Sequence, residues 1–371
     1  MKPWIACLLL ASIRMADAQI APDVQKAADE GDARAQDNIG DMYETGTNGV
    51  SRDYAKALEW YSKAANQGNA DAQLSIGYSY VNGYGVPKDP VKELEWFTKA
   101  AEQGNTDAEN HIADMYNQGN RVPQNYAKAM EWYKKAAGQG NAGAQISLSW
   151  MYFLGDGGPA DPTQGIAWLK KAAEQGEESA QEELGRYYEQ GGPVPQDYGQ
   201  ALQWYRKAAN HDNFMAQEDL GRMYEKGEGM PKDAAQAMEW YKKAAGHDDE
   251  FAQFSLGNLY ETGNGVPQDY YQAMSWYRKA AGQGNVDGER AVGRLYEKGE
   301  SVTQDFGQAM LWYKKAADQN DADAENAIGS MYAKGEGVPQ DSIGAKKWYD
   351  KAAAQKKSDQ APATSSQQAG K

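Results

Sequence analysis

Residue types suited to metal binding and nucleophilic catalysis are scarce in this chain: three histidines, His111, His211 and His247, and one cysteine, Cys7. His211 and His247 stand 36 residues apart beside Asp212, Asp248 and Asp249. If the structure repeats at that interval, the two imidazoles could share a metal with neighbouring carboxylates. The simpler reading is that both replace the glutamine of a recurring Lys-Ala-Ala-x-Gln-Gly turn, so no metal ligand and no cofactor is assigned. Loops such as Gly-Glu-Gly at 227–229 and Gly-Asn-Gly at 263–265 lack the Gly-Lys-Ser/Thr that a phosphate loop needs. No nucleophile and base stand together in the sequence, and the carboxylates are scattered or used as helix caps. The sequence therefore points away from an enzyme and has no catalytic residues to offer.

What positions these residues is a repeat. Tryptophan returns every 36 residues from Trp60 through Trp96, Trp132, Trp168, Trp204, Trp240, Trp276 and Trp312 to Trp348. Tyrosine keeps the same step from Tyr80 to Tyr332, with Tyr43 displaced by a longer first loop. Around each tyrosine the apolar and small positions, such as Ala72, Ile76, Gly77 and Tyr80, have helical spacing, which predicts a first helix, A. Around each tryptophan, Ala57, Trp60, Tyr61, Ala64 and Ala65 predict a second helix, B, with the tryptophan buried.

Asp53, Asp89, Asn125, Asp161, Asp197, Asp233, Asp269, Asp305 and Asp341 precede helix B as N-caps. At 161, 197, 233, 269 and 305 a glutamine follows three residues later, which predicts a reciprocal capping box. Helix B ends at a residue suited to left-handed backbone: Gly31, Gly68, Gly104, Gly140, Gly176 and Gly284, or Asp212, Asp248 and Asn320.

The pattern Ala-x-x-x-(Leu/Ile)-Gly-x-x-Tyr-x-x-Gly-x-Gly-Val-x-x-Asp-x-x-x-Ala-x-x-Trp-Tyr-x-Lys-Ala-Ala resembles the Sel-1-like repeat, a relative of the tetratricopeptide repeat, across roughly 22–354. Ala113 and Ser149 replace the helix A glycine, Glu93 replaces a helix B alanine, and Ser301 and Thr303 interrupt one loop. The resemblance implies an all-α, right-handed α-solenoid superhelix of nine helix-turn-helix repeats used as an adaptor or binding platform. Hydrolysis of cell-wall-like or β-lactam substrates, proposed for cysteine-rich members of the family, is the alternative. With its only cysteine at position 7, this chain lacks the cysteine pairs of those members.

The expected layout is a secretory signal at 1–18, an N-terminal half-repeat at 19–31, one continuous nine-repeat solenoid at 32–354, and a disordered Ser, Gln, Ala and Lys tail at 355–371. The signal reading rests on Lys2, the apolar run from Trp4 to Ile13 and the small-x-small site Ala16-Asp17-Ala18, a run too short to span a membrane. It predicts an exported chain, periplasmic or extracellular, with no membrane insertion after cleavage. The formal net charge is −15, which opposes binding to phosphate backbones and anionic headgroups and excludes nucleic acid as the main partner. A basic or neutral protein or peptide is the expected ligand, bound by a monomer.

A partner surface should lie where helix A varies. The pair four residues apart that reads Leu74 and Tyr78 becomes Ile146 and Trp150, Glu182 and Arg186, Glu218 and Arg222, Phe254 and Asn258, then Arg290 and Arg294. In tetratricopeptide-like stacking this face lines the concave groove. Leu74, Tyr78, Ile146, Trp150, Phe251 and Phe254 are the expected apolar contacts, with Arg186, Arg222, Arg290 and Arg294 as polar anchors. The alternative is that these side chains fill gaps between repeats, and that Glu182 with Arg186 and Glu218 with Arg222 are ordinary pairs on one helix.

Overall fold

A computed structural model describes residues 20–360, apart from residue 120, so the predicted signal at 1–18 and the chain from 361 onward lie outside the described residues. Among the described residues there are nineteen helices and no strand. They fall into two compact units, one through Gln175 and one from Gly176.

The first unit opens with the half-repeat α1 (Pro22–Asp29) and continues with α2 (Ala33–Thr45), α3 (Tyr54–Ala65), α4 (Ala70–Asn82), α5 (Pro90–Glu102), α6 (Thr106–Gln118), α7 (Tyr126–Gly138), α8 (Ala142–Leu154) and α9 (Pro162–Glu174). The second holds α10 (Glu178–Gln190), α11 (Tyr198–Ala209), α12 (Phe214–Lys226), α13 (Ala234–Gly246), α14 (Glu250–Thr262), α15 (Tyr270–Gly282), α16 (Val286–Lys298), α17 (Phe306–Asp318), α18 (Ala322–Lys334) and α19 (Ser342–Gln360). Even-numbered helices are the A helices, odd-numbered ones from α3 the B helices. Inside each unit every helix packs on the next in sequence. Helix α19 carries helix through 355–360, which composition had assigned to the tail. Ala352, Ala353, Ala354 and Gln355 are good helix formers, and the Lys356 ammonium reaches Asp323 at 3.0 Å.

The helix stops form as the sequence dictates. Asp212, Asp248 and Asn320 have φ of 64°, 61° and 66°, taking the left-handed place that glycine fills in other copies. Each B-helix cap side chain accepts from backbone amides of the first turn, as Asp269 does from Tyr271 and Gln272. The reciprocal half of the capping box does not form. The cap's own amide is already taken by the carbonyl of the helix A tyrosine, as in Asp161 to Tyr152 at 2.8 Å and Asp269 to Tyr260 at 2.9 Å. That bond ties helix B back to helix A across the loop and leaves the glutamine nothing to satisfy.

The core differs from expectation in one respect. Of the nine ladder tryptophans only Trp204 is buried; the others are half-buried. The fully buried residue is the next one: Tyr61, Phe97, Tyr133, Leu169, Tyr205, Tyr241, Tyr277 and Tyr313. Adjacent positions on a helix point about 100° apart, so only one of the pair can aim at helix A. The tyrosine takes that direction and the tryptophan lies at the seam with the preceding repeat, as Trp132 does against the cluster of Phe97 and Ala101 and Trp168 against that of Tyr133 and Ala137. Its outer face is covered by the lysine three residues on, Lys135 at 3.8 Å from Trp132 and Lys171 at 3.6 Å from Trp168. The lysine stem shields the ring while its charge stays in water.

Candidate functional site

The buried tyrosines organise the A-helix face. Each hydroxyl donates to a carboxylate of helix A: Tyr61 to Glu44 and Tyr205 to Glu189 at 2.7 Å, Tyr277 to Glu261 and Tyr313 to Glu297 at 2.6 Å. Burial, then these carboxylates, push the phenols far above their usual range. A row of paired polar groups therefore runs under the face expected to meet a ligand.

In the first unit, Leu74 and Tyr78 are not free contacts. Leu74 packs against the cluster of Phe97 and Ile112, and Tyr78 meets Phe97 edge-on and hydrogen-bonds His111 Nε2. His111 also stacks on Phe97, with ring centroids 5.3 Å apart. Burial lowers its pKa against the pull of Asp114 and Asp107. Tyr78 and His111 line a cavity of about 330 Å³ with Val81, Glu93, Asp114, Met115, Gln118 and Arg121. Glu93, which departs from the repeat's alanine, is buried and held by Arg121 at 2.6 Å. The departure is thus compensated one loop away. The sequence noted His111 and Glu93 but assigned neither a partner, because their partners come from neighbouring elements and leave no local pattern.

Helix α8 carries two of the apolar residues named from the sequence. Ile146 is half-buried, Trp150 is 40% exposed, and one turn further Leu154 is 69% exposed. Spacing of four places all three on one face. Phe153 meets Trp150 edge-on at 5.9 Å. Leu154 was missed because the sequence reading followed a pair of positions, and the third member lies at the helix end.

In the second unit the arginines are engaged. Arg222 bonds Glu189 of the previous repeat, with Nη2 to Oε2 at 2.9 Å, and also Asp219 three residues back. Arg294 bonds Glu261 in the same way, and Arg290 holds Asp287 together with Asp321, the cap of α18. Arg186 pairs with Glu183 on its own helix. The polar anchors are therefore ion pairs within and between repeats, and the same-helix partners of Arg186 and Arg222 are Glu183 and Asp219 at i−3, where Glu182 and Glu218 at i−4 were the alternative expected. Glu182 and Glu218 are not the ion-pair partners: burial first, then Asp219, raises both to about 7 against the pull of Arg186 and Arg222.

Phe254 is half-buried and packs on Tyr277, with centroids 5.5 Å apart, where the sequence suggested an open contact. With Tyr313, Arg290 and Arg294 it lines a cavity of about 210 Å³. Phe251, at the start of α14, is 58% exposed, and Phe214 and Met215 at the start of α12 are 40% and 46% exposed. The His247 ring lies 6.3 Å from Phe214. Among the described residues no group of three or more His, Cys, Asp or Glu is placed to hold a metal ion, and none of the described helices is long and apolar enough to cross a membrane.

Comparison with known proteins gives a consistent picture. The Sel1 repeat model matches nine times, at 33–69, 70–105, 106–141, 142–177, 178–213, 215–249, 251–285, 286–321 and 322–357. Among solved structures, the protective antigen of uropathogenic Escherichia coli strains displaying an SLR fold is 32% identical, with TM-score 0.78 over 90% of this chain and 79% of that one. A Sel1 repeat protein from Oxalobacter formigenes is 33% identical, with TM-score 0.64 over 83% of this chain and 90% of that one. The ERAD-associated E3 ubiquitin-protein ligase component HRD3B of Arabidopsis thaliana is 46% identical over 59 residues, 16% of this chain and 9% of the plant protein. The aligned stretch thus spans less than a tenth of that relative.

Proposed function

Because the chain belongs to the Sel1 repeat family, we propose that it is a non-enzymatic scaffold that binds a protein or peptide partner on the A-helix face of its first unit. The observation that carries this is Trp150 with Leu154, a large aromatic and an aliphatic side chain exposed on one face of α8. Exposed tryptophan beside further apolar surface is the composition of an interface centre. The plant relative is named as a component of an ERAD-associated E3 ubiquitin-protein ligase. Export rests on Lys2, the apolar run to Ile13 and Ala16-Asp17-Ala18.

The test uses the purified chain as bait in an extract, beside Trp150→Ala and Trp150→Ala with Leu154→Ser. The intact chain should retain a preferred partner that both variants lose while their melting stays close to wild type. Equal capture by all three overturns the surface. Capture of nothing in preference favours a passive spacer, and turnover of cell-wall or β-lactam substrates overturns the non-enzymatic reading.

A further inference from the structure

The second residue of the A helices carries an aspartate in four repeats, and each of these is bonded. Asp71 and Asp107 accept from Asn105 and Asn141 of the next repeat at 3.1 and 2.8 Å. Asp287 takes Arg290, and Asp323 takes Lys356 at 3.0 Å. In α12 and α14 the same register position holds Met215 and Phe251, 46% and 58% exposed. Two adjacent repeats have exchanged a polar clasp for apolar side chains facing water. Phe214, beside Met215, extends this surface toward the His247 ring. Helices α12 and α14 also touch directly. The three apolar side chains therefore belong to one surface, and nothing about cap or turn geometry calls for them there.

The surroundings are acidic. Asp212, Asp248, Asp249 and Glu250 lie beside or within one turn of the three apolar residues. Three of the basic residues near the ends of the preceding B helices are engaged elsewhere: Arg206 with the Tyr224 hydroxyl at 2.8 Å, Lys207 and Lys243 over Trp204 and Trp240. Two helix N-termini contribute roughly half a positive charge each, which the carboxylates outweigh. An apolar centre with an anionic rim favours a ligand of matching shape and opposite charge.

We propose that Phe214, Met215 and Phe251 form a docking surface for a polypeptide segment that presents apolar side chains flanked by lysine or arginine. The proposal rests on the scaffold reading but uses a different surface in a different unit. A second copy of this chain is the poorer occupant, because each copy carries a formal net charge of −15 and would set one acidic rim against another.

The double variant Met215→Asp, Phe251→Asp tests it, since aspartate is what α4, α6, α16 and α18 carry at this position and the fold accepts it there. The probe is a labelled synthetic peptide of leucine and lysine with leucines at helical spacing, titrated into the full chain and followed by anisotropy. Two controls replace lysine by glutamate or leucine by serine. The leucine-lysine peptide should bind the intact chain at least about tenfold more tightly than either control, and the double variant should lose that margin with helicity and melting unchanged. Equal binding by the variant, equal binding of the glutamate peptide, or no binding of the leucine-lysine peptide overturns the surface. So does self-association of the intact chain that the variant abolishes. If extract capture still depends on Trp150 in any of these cases, the scaffold reading stands without this surface. If peptide binding is lost in the double variant while Trp150→Ala leaves capture intact, the reverse holds.

Discussion

Gly257 on α14 lies against the ring of Tyr277 on α15 so closely that a Cβ at 257 would stand 2.5 Å from ring atom Cδ1. The same contact recurs between Gly221 and Tyr241, also at 2.5 Å, and between Gly293 and Tyr313 at 2.8 Å. Glycine here serves close approach of two helices and allows the phenol to reach Glu261 on the far side. Gly257→Ala should cost about 1–3 kcal/mol by overpacking, set against about 1 kcal/mol gained in helix propensity. Ala113 opposite Tyr133 shows that the backbone can adjust. The net expectation is a modest loss in a denaturant titration, and a rise in midpoint would contradict it.

The tyrosine beside each tryptophan should matter more than the tryptophan. Tyr277 is 1% exposed, whereas Trp276 is half-buried at the seam. Tyr277→Ala should cost about 3–5 kcal/mol, the range for a large core aromatic, and also strand the Glu261 carboxylate. Trp276→Ala should cost clearly less. Parallel thermal and denaturant melts of the two variants decide the order.

Arg222 and Arg186 occupy equivalent positions yet should respond differently. Arg222→Met leaves Glu189 and Asp219 facing each other's charge in a half-buried setting, and a loss of about 2–4 kcal/mol is expected from removing one partner of such a pair. Arg186, exposed and paired only with Glu183, should cost less than about 1 kcal/mol when changed to methionine. Similar losses in the two variants would show that the bond from Arg222 to the previous repeat contributes little.

Stability should fall as pH rises from about 5 to about 8. Burial raises Asp37, Glu182 and Glu218 to about 7. The folded state therefore holds protons in that window that unfolded carboxylates have released, and each unit of pH favours the unfolded chain. The opposite sign takes over in stronger acid. Glu189, although burial pushes it up, is held below the usual carboxylate range by Arg222 and Tyr205, and Lys356 lowers Asp323. Their stabilisation is lost as pH drops through those lowered values. Melting temperatures against pH should pass through a maximum on the acidic side of neutral; a curve that climbs steadily to pH 8 would contradict the placement of the three buried carboxyls.

The sequence displayed the helices, caps and left-handed stops because each depends on neighbours a few residues away. Asp269, Gly263 and Asp248 announce themselves by type and position alone. It also named Trp150 and Phe251 among the expected apolar contacts. It misplaced the tryptophan ladder, because helical spacing does not say which of two adjacent aromatics aims at the partner helix. The arginine anchors failed for a related reason: Arg222 meets Glu189 at a separation of 33 residues, a pairing visible only once repeats are stacked. Phe214 and Met215 were overlooked beside the cap Asn213. Setting position 215 in register with Asp71, Asp107, Asp287 and Asp323 was the available signal.

The bond from the B-helix cap amide to the tyrosine carbonyl of its A helix, made at eight of the nine caps with Asp89 the exception, closes each of those repeats on itself, while packing and side-chain bonds such as Arg222 to Glu189 join it to its neighbours. Under tension along the chain such a molecule has no single clasp whose failure releases everything. Within either unit, length would be paid out one loop at a time, roughly 120 Å of extended chain for each 36 residues, giving a saw-tooth of similar forces in place of one rupture.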